Sequence, residues 1–404
     1  MNRPKHYCPI PFFSIELYDD HVAKLCCNSG RRFYFEKDLK DFWHGDAIES
    51  VREKMTNDEW NSDCQLCYDR EDLFNHSKRV DEIKQMGNNH LKKPLAMPTH
   101  LQLNLSNVCN LKCIMCAPKY STKWNEDVES LGKLRENLYV EPVKKISEKV
   151  LTTTIRDFIN TRSFAEKTIE IYGGEPFLSK EFWRIVDNTP YQKLRNVRFK
   201  CNTNGTIMND AIMKNLKKFK KNIINMSIDG VGEIFEFQRF PAKWEKVEKN
   251  MNILKKYGDK YRFKFTVDLY YTLSSFNAVG LSEFIDYCKE KGWRYYINVA
   301  DNEPLPDDVP FLNRRTKSKV QEYGGKGFTH PCMLPQEVKE KILNEIEGKV
   351  DNLYWKKIKN SFFDTKGFSL EKLNNFKNYC DLIKEVRGLD FLEMLKRRYN
   401  YEYT

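Results

Sequence analysis

The sequence predicts an α/β protein built on a partial (β/α)6 barrel, with a small cysteine-rich module before it and a mostly helical extension after it. Three observations support this prediction. From residue 101, short runs that alternate apolar and polar residues take turns with longer stretches of helical period. Such alternation favours parallel strands joined by right-handed crossovers. Eight of the 12 cysteines precede residue 117, and the β/α alternation stops after residue 300.

The composition narrows the class of protein. A chain of 404 residues is long enough for two or three domains. We see no signal peptide and no apolar run of about eighteen residues, so we expect a cytoplasmic protein with no membrane partner. In that compartment 12 cysteines indicate metal or redox use rather than disulfides. The net charge of +11 makes nucleic acid a possible partner, but the basic residues are too dispersed to favour it.

Residues 1–72 read as the cysteine-rich module. A strand-like run at Phe12–Leu17 and a returning strand at Val22–Leu25 predict a hairpin, and Leu39–Met55 has a helical pattern. The module's cysteines have the spacing C-x17-C-x37-C-x2-C and are Cys8, Cys26, Cys64 and Cys67. Four thiolates suit either zinc or a fully ligated iron–sulfur cluster. Cys27 is an alternative to Cys26, which we favour.

Residues 73–100 are predicted to be a short helix and a linker, residues 101–302 the barrel, and residues 303–404 the helical extension. Within the last part, residues 303–330 are expected to be extended and residues 335–398 helical. The predicted barrel strands are Leu101–Leu105, Thr168–Tyr172, Val197–Asn202, Ile223–Ile228, Phe263–Tyr270 and Trp293–Val299. In such a barrel the active site lies at the carboxyl ends of the strands.

The loop after the first barrel strand carries Cys109, Cys113 and Cys116, spaced C-x3-C-x2-C. Three thiolates this close can hold one polynuclear iron–sulfur centre, but they leave one iron without a protein ligand. The second strand ends in Gly173-Gly174-Glu175-Pro176. The glycines let the backbone approach a ligand closely, and the loop offers an ammonium group both carbonyls and a carboxylate.

Polar residues follow the next two strands as well. Asn204 stands in an Asn-Gly pair that could simply be a turn. Ser227 and Asp229 end the fourth strand, where Asp229 could instead cap the next helix. Arg239 follows, and its planar fork suits a carboxylate, although a surface arginine between aromatic residues is the simpler alternative.

These motifs together resemble the radical S-adenosylmethionine (SAM) enzymes, over roughly residues 1–300. The resemblance implies a TIM-like barrel and a [4Fe–4S] cluster on Cys109, Cys113 and Cys116 whose open iron is chelated by the amino and carboxylate groups of SAM. It also implies a set of SAM contacts. The glycine loop would take the amino group, Arg239 the carboxylate, Asn204 the rim of the pocket and Val299 the adenine, while Met115 stands where the family usually has an aromatic residue. The predicted SAM contacts are thus Met115, Gly173, Gly174, Glu175, Asn204, Ser227, Asp229, Arg239 and Val299.

The first module resembles the twitch module, a shortened SPASM domain, which implies an auxiliary [4Fe–4S] cluster on Cys8, Cys26, Cys64 and Cys67. In the family this module usually follows the barrel, whereas here it comes first.

The resemblance implies reductive cleavage of SAM to a 5′-deoxyadenosyl radical, with electrons from a flavodoxin- or ferredoxin-like donor. An auxiliary cluster that accepts an electron favours oxidative modification of a peptide or small molecule. The alternatives are a nucleic acid or nucleoside substrate, or a non-catalytic protein that binds zinc and nucleic acid. The base that an oxidation requires is not identified, and Asp268, Asp301 and His330 are guesses.

Overall fold

The computed structural model describes residues 5–35, 38–74, 77–86, 93–116, 120–130, 145–161, 165–261, 263–299, 330–363 and 370–402. The chain divides into two units. The first comprises Met1–Ser106, Val143–Cys201 and Asn209–Ile223. The second comprises Asn107–Pro142, Asn202–Met208 and Ile224–Thr404.

The strands of the described residues are numbered along the chain. They are β1 (Ser14–Asp19), β2 (Val22–Lys24), β3 (Phe33–Tyr34), β4 (His100–Asn104), β5 (Lys167–Tyr172), β6 (Val197–Thr203), β7 (Lys221–Ser227), β8 (Phe265–Leu273) and β9 (Tyr295–Val299). All six predicted barrel strands are present, as β4 to β9. The predicted hairpin is present too, as β1 and β2, which pair antiparallel.

The helices of the same residues are also numbered along the chain. They are α1 (Ile10–Phe13), α2 (Leu39–Trp43), α3 (Asp46–Thr56), α4 (Gln65–Phe74), α5 (Lys78–Met86), α6 (Asn125–Ser130), α7 (Glu148–Asn160), α8 (Lys180–Asn188), α9 (Tyr191–Leu194), α10 (Asp210–Leu216), α11 (Gly232–Gln238), α12 (Trp244–Lys260), α13 (Leu281–Lys291), α14 (Gln336–Ile346), α15 (Asn352–Phe362), α16 (Leu370–Arg387) and α17 (Phe391–Tyr399). None of the described helices is long and apolar enough to cross a membrane.

In the first unit the strand order is β3-β2-β1-β4-β5-β6. The pairs β1–β4, β4–β5 and β5–β6 are parallel. Ser14 of β1 lies opposite His100 of β4 in this register. The cysteine-rich segment therefore adds a parallel strand beside the first barrel strand. The predicted helix at residues 39–55 is two helices, α2 and α3, because the backbone is extended at Gly45, where a Cβ would lie 3.1 Å from the Asp41 carbonyl oxygen.

In the second unit the strand order is β7-β8-β9, and β8 and β9 run parallel, with Leu273 opposite Val299. Helices α14 to α17 follow, so the predicted helical extension is present. The predicted extended stretch at 303–330 lies outside the described residues, except for His330.

Candidate functional site

The cysteine loop of the second unit holds its middle thiol in the interior. Cys113 is buried, whereas Cys109 and Cys116 are half-buried. The backbone N–H of Cys116 donates to the carbonyl of Cys113 at 3.0 Å, which closes the C-x2-C turn. The three thiols thus lie on one tight loop that follows β4 in the chain.

The segment after α11 runs beside this loop. The N–H of Lys112 donates to the Phe240 carbonyl at 2.8 Å, and the N–H of Ile114 donates to the Gln238 carbonyl at 2.9 Å. Arg239 stands between those two carbonyls in sequence, and its Nη1 lies 3.8 Å from the Sγ of Cys113. The loop and the predicted SAM-binding arginine are therefore held together by the backbone.

Electrostatics at Cys113 reflect this neighbourhood. Burial raises the pKa of Cys113 to about 11, and the guanidinium of Arg239 opposes that rise. A cation beside the sulfur stabilises the thiolate form, which is the form that binds iron. The chemistry of this loop, thiols beside a cation, therefore suits an iron–sulfur cluster, and the three ligand assignments stay predictions.

Arg239 forms an ion pair with Asp229 inside the protein. Its Nη2 lies 2.5 Å from Oδ2 of Asp229, which is fully buried. The other carboxylate oxygen accepts the N–H of Thr272 at 2.7 Å. Burial raises the pKa of Asp229, and Arg239 opposes the rise. Helix α11 has no side-chain cap, so Asp229 orients Arg239 rather than capping that helix.

One N–H group of the Arg239 guanidinium is not used by these contacts. The Nε of Arg239 is buried and has no hydrogen-bond partner among the described residues. Buried donors are normally satisfied. An anionic ligand at this position would use that donor.

Asn204 forms the turn that the sequence allowed, and its amide also reaches the cysteine loop. Its Oδ1 accepts the N–H of Thr206 at 2.9 Å in a turn that also contains Gly205, whose φ is +74°. Its Nδ2 donates to Oδ1 of Asn110 at 3.1 Å and lies 3.9 Å from the Sγ of Cys109. The turn therefore directs an amide toward the cysteine loop.

The three remaining predicted SAM contacts in the second unit are all half-buried. Met115 lies within the cysteine loop, Ser227 ends β7 and Val299 ends β9. Their roles stay predictions.

The glycine loop belongs to the first unit. Gly173 has φ +89° and Gly174 has φ +44°, both in the left-handed region. A Cβ on Gly173 would lie 2.2 Å from Oδ1 of Asn104 and 2.6 Å from the carbonyl oxygen of Ser106. Glu175 is buried, and its carboxylate accepts the N–H of Phe177 at 3.1 Å.

Asn104 was missed by the sequence analysis. Its Oδ1 is buried and lacks a hydrogen-bond partner among the described residues. This oxygen lies against Gly173 at the carboxyl end of β4. The only available signal was a polar residue at the end of a predicted strand.

The four cysteines of the module all belong to the first unit. Cys8, Cys26 and Cys67 are buried and Cys64 is half-buried. Burial raises the pKa of Cys64, and the charges of the other three thiols raise it further. Charge on any of these three thiols therefore disfavours the thiolate of Cys64.

Cys27 has different surroundings from Cys26. The Cys27 thiol is exposed, and Nζ of Lys78 lies 3.4 Å from its sulfur. Cys26 is buried instead, and burial raises its pKa to about 12. Cys26 is therefore buried as Cys8 and Cys67 are, whereas Cys27 is not, and the choice of Cys26 as a ligand stays a prediction.

Asp58 and Arg79, which the sequence analysis missed, hold the segment just before Cys8 in place. Asp58 has φ 57°, and its carboxylate accepts three successive backbone N–H groups at 2.6–3.0 Å, those of Lys5, His6 and Tyr7. The buried Arg79 of α5 pairs with Glu71 and donates to the Tyr7 carbonyl at 2.8 Å. The segment before Cys8 is therefore tied to α5.

The three candidate bases, Asp268, Asp301 and His330, are not brought together among the described residues. Asp268 is buried and pairs with Nε of Arg294 at 2.5 Å. Nδ1 of His330 accepts the N–H of Cys332 at 3.2 Å, as a cap for the short turn that follows. Asp301 lies outside the described residues. Nor do three His, Cys, Asp or Glu side chains in the described ranges converge tightly enough to hold a metal ion, so the ligand assignments stay predictions.

Comparison with known proteins finds similarity over part of the chain. The model of the Radical SAM superfamily matches residues 103–288. The chain is 25% identical over 250 residues to a probable GTP 3′,8-cyclase of Methanocaldococcus jannaschii, covering 61% of this chain and 74% of that protein. It is 23% identical over 178 residues to the Fe-coproporphyrin III synthase of Methanosarcina barkeri, covering 44% and 38%. A solved structure of anSMEcpe with bound AdoMet is 20% identical, with a TM-score of 0.40, covering 65% of this chain and 62% of that one.

Proposed function

We propose that the chain is a radical SAM enzyme in which Cys109, Cys113 and Cys116 bind a [4Fe–4S] cluster, and the match of residues 103–288 to the Radical SAM superfamily supports this proposal. When bound and reduced, that cluster supplies the electron that splits SAM into methionine and a 5′-deoxyadenosyl radical able to take a hydrogen atom from a substrate. The observation that carries the proposal is the position of Arg239, with Nη1 3.8 Å from the Sγ of Cys113 and a buried Nε that lacks a partner among the described residues.

The residues around the cysteine loop each have a task in this proposal. Arg239 stabilises the thiolate of Cys113 and offers Nε–H to the carboxylate of SAM. Asp229 fixes the guanidinium, and the N–H of Thr272 fixes Asp229. Asn204 directs its amide toward Cys109 from the next loop.

The glycine loop would bind the amino group of SAM. Gly173 and Gly174 give the loop its left-handed backbone, and the buried Oδ1 of Asn104 beside Gly173 is an unused acceptor among the described residues. An ammonium group needs such acceptors. Glu175 supplies a carboxylate at the same loop. Met115, Ser227 and Val299 complete the proposed set of contacts.

The second part of the proposal assigns an auxiliary [4Fe–4S] cluster to Cys8, Cys26, Cys64 and Cys67. Four protein thiolates leave no iron for the substrate, so this centre would accept an electron. The net reaction is then an oxidative modification of a peptide or small molecule, and an external flavodoxin- or ferredoxin-like protein would reduce the first cluster.

A nucleotide substrate is the second candidate. Its support is that relatives bear the name GTP 3′,8-cyclase. Formation of 5′-deoxyadenosine that depends on added GTP would favour it. A steep loss of substrate binding with rising salt would favour a polymeric nucleic acid instead.

Anaerobic reconstitution tests both cluster assignments. Two four-iron clusters predict about eight irons per chain in the wild type. The double variant Cys64→Ala/Cys67→Ala should retain about four irons, and the triple variant Cys109→Ala/Cys113→Ala/Cys116→Ala about four, with no 5′-deoxyadenosine formed from SAM. Cys288→Ala, which changes a buried cysteine outside both groups, is the control. About four irons in both the wild type and the double variant would refute the auxiliary cluster. Absence of SAM cleavage by the wild type under strong reductant would refute the main proposal.

A further inference from the structure

Lys112 and Ile114, the two residues that flank Cys113, are hydrogen-bonded through both their N–H and their carbonyl groups. Their N–H groups donate to the carbonyls of Phe240 and Gln238, as described above. Their carbonyls point the other way, toward α16 of the helical extension. Nη1 of Arg387 donates to the Lys112 carbonyl at 2.7 Å, and the hydroxyl of Tyr379 donates to the Ile114 carbonyl at 3.3 Å.

Arg387 is itself fixed in position by the chain after the cysteine loop. Its side chain has no exposed surface, and its Nε lies 2.6 Å from Oδ2 of Asp127 in α6. The guanidinium lies over the ring of Trp124, with its carbon 4.5 Å from the ring centroid. Asp127 also pairs with Lys112. A buried arginine with these contacts has little freedom to move.

Helix α16 is anchored independently of these polar contacts. Phe376 lies one turn before Tyr379, and its ring centroid is 5.1 Å from that of Phe276. Phe276 also packs against Tyr379, at 5.8 Å, and against Phe391 of α17, at 5.0 Å. This aromatic packing buries one face of α16 and presents Tyr379 and Arg387 to the loop.

We infer that α16 is part of the cluster site, and that Tyr379 and Arg387 are positioning residues that hold the Cys113 loop in its ligating conformation. The inference rests on the proposed function, since it assumes that the loop binds the cluster. It assigns a role to the helical extension, whose task the sequence did not indicate. Neither side chain is required to touch SAM or the substrate.

The chain offers matched controls for both residues. Tyr399 is also a buried tyrosine, and its hydroxyl donates to a backbone carbonyl, that of Val279, at 3.2 Å. Arg52 is a buried arginine that donates to the Pro11 carbonyl at 2.9 Å and lies 4.3 Å over the ring of Trp43. The test variants are therefore Tyr379→Phe and Arg387→Gln, with Tyr399→Phe and Arg52→Gln as controls.

The first readout uses protein without cluster. The rate at which iodoacetamide alkylates Cys113, followed by peptide mass spectrometry, reports how often the buried thiol becomes accessible. Tyr379→Phe should raise this rate about fivefold, the change expected from the loss of one hydrogen bond, while Tyr399→Phe leaves it unchanged. An equal rate in the two phenylalanine variants would overturn the inference.

The second readout uses reconstituted protein. Iron release to a chelator from the loop cluster should be faster in Tyr379→Phe and Arg387→Gln, and the EPR spectrum of the reduced cluster should respond less to added SAM. The controls should match the wild type in both measurements. If Arg387→Gln does not fold, Tyr379→Phe decides the question. Should the wild type bind no iron on this loop, the proposed function fails, and the alkylation rates separately decide whether α16 holds the loop.

Discussion

Nη2 of Arg239 lies 2.5 Å from Oδ2 of Asp229, and that carboxylate is completely buried. Asp229→Asn would leave a buried guanidinium without its counter-charge, which costs about 3–5 kcal/mol of unfolding free energy. Chemical denaturation of the cluster-free protein measures this loss. Asp268→Asn is the control, because its partner Arg294 is more than half exposed, and should cost no more than about 1 kcal/mol. Equal losses in the two variants would contradict the prediction.

Gly173→Ala should disrupt the glycine loop. The new Cβ would lie 2.2 Å from Oδ1 of Asn104, in addition to the strain of φ +89°. Gly348 also has a positive φ, of +71°, but no atom lies within 4 Å of its Cβ position. Gly348→Ala therefore measures backbone strain alone, about 1 kcal/mol. Isothermal titration should show weaker SAM binding by Gly173→Ala than by Gly348→Ala. Unfolding curves should show a larger loss of unfolding free energy for Gly173→Ala than for that control. A similar small effect for both would mean that the close contact with Asn104 is unimportant.

Replacing Cys26 and Cys27 one at a time tests which of them binds the proposed auxiliary cluster. Cys26→Ala should abolish the auxiliary cluster and reduce the iron content by about four per chain, whereas Cys27→Ala should retain it. The reason is that Cys26 is buried with the other three thiols, while Cys27 is exposed beside Lys78. Iron analysis and the absorption spectrum of the reconstituted protein measure the difference. Loss of the cluster only in Cys27→Ala would reverse the assignment.

The lowered pKa of Glu170 predicts that the stability of the fold decreases in acid. Burial alone would raise the pKa of Glu170, but His100 and Lys200, each 2.9 Å away, outweigh it and hold the pKa at about 2. Because the folded pKa lies below the unfolded value, this carboxylate stabilises the fold above about pH 4.5 and loses that effect as the pH falls toward 2. Glu170→Gln should therefore lower the free energy of unfolding by about 3 kcal/mol at pH 7 and by less than half of that at pH 3. Unfolding curves of both proteins at several pH values would contradict this if their difference stayed constant.

The sequence was sufficient to predict the secondary structure of the barrel region, because alternating and helical periods are local signals. It did not predict that β1 would lie parallel to β4, since strand pairing across eighty residues leaves no local trace. The break between α2 and α3 depends on how closely the backbone passes Gly45, which is also a three-dimensional property.

The motifs used by the proposed site, Cys109 to Cys116 and Gly173 to Glu175, are short and could be recognised in the sequence alone. Residues that support those motifs were not predictable. Asp58 and Arg387 are single polar residues among many in a charged chain, and only the fold places the first at the entry to Cys8 and the second against the Lys112 carbonyl. The pairing of Arg239 with Asp229 was hidden for the same reason.

The bond between Arg387 and the Lys112 carbonyl joins positions 275 residues apart. A ribosome makes the cysteine loop long before it makes the helix that closes over it, and domains form as their segments emerge. The carbonyl side of the cysteine loop can therefore be closed by Arg387 only when nearly the whole chain has been made.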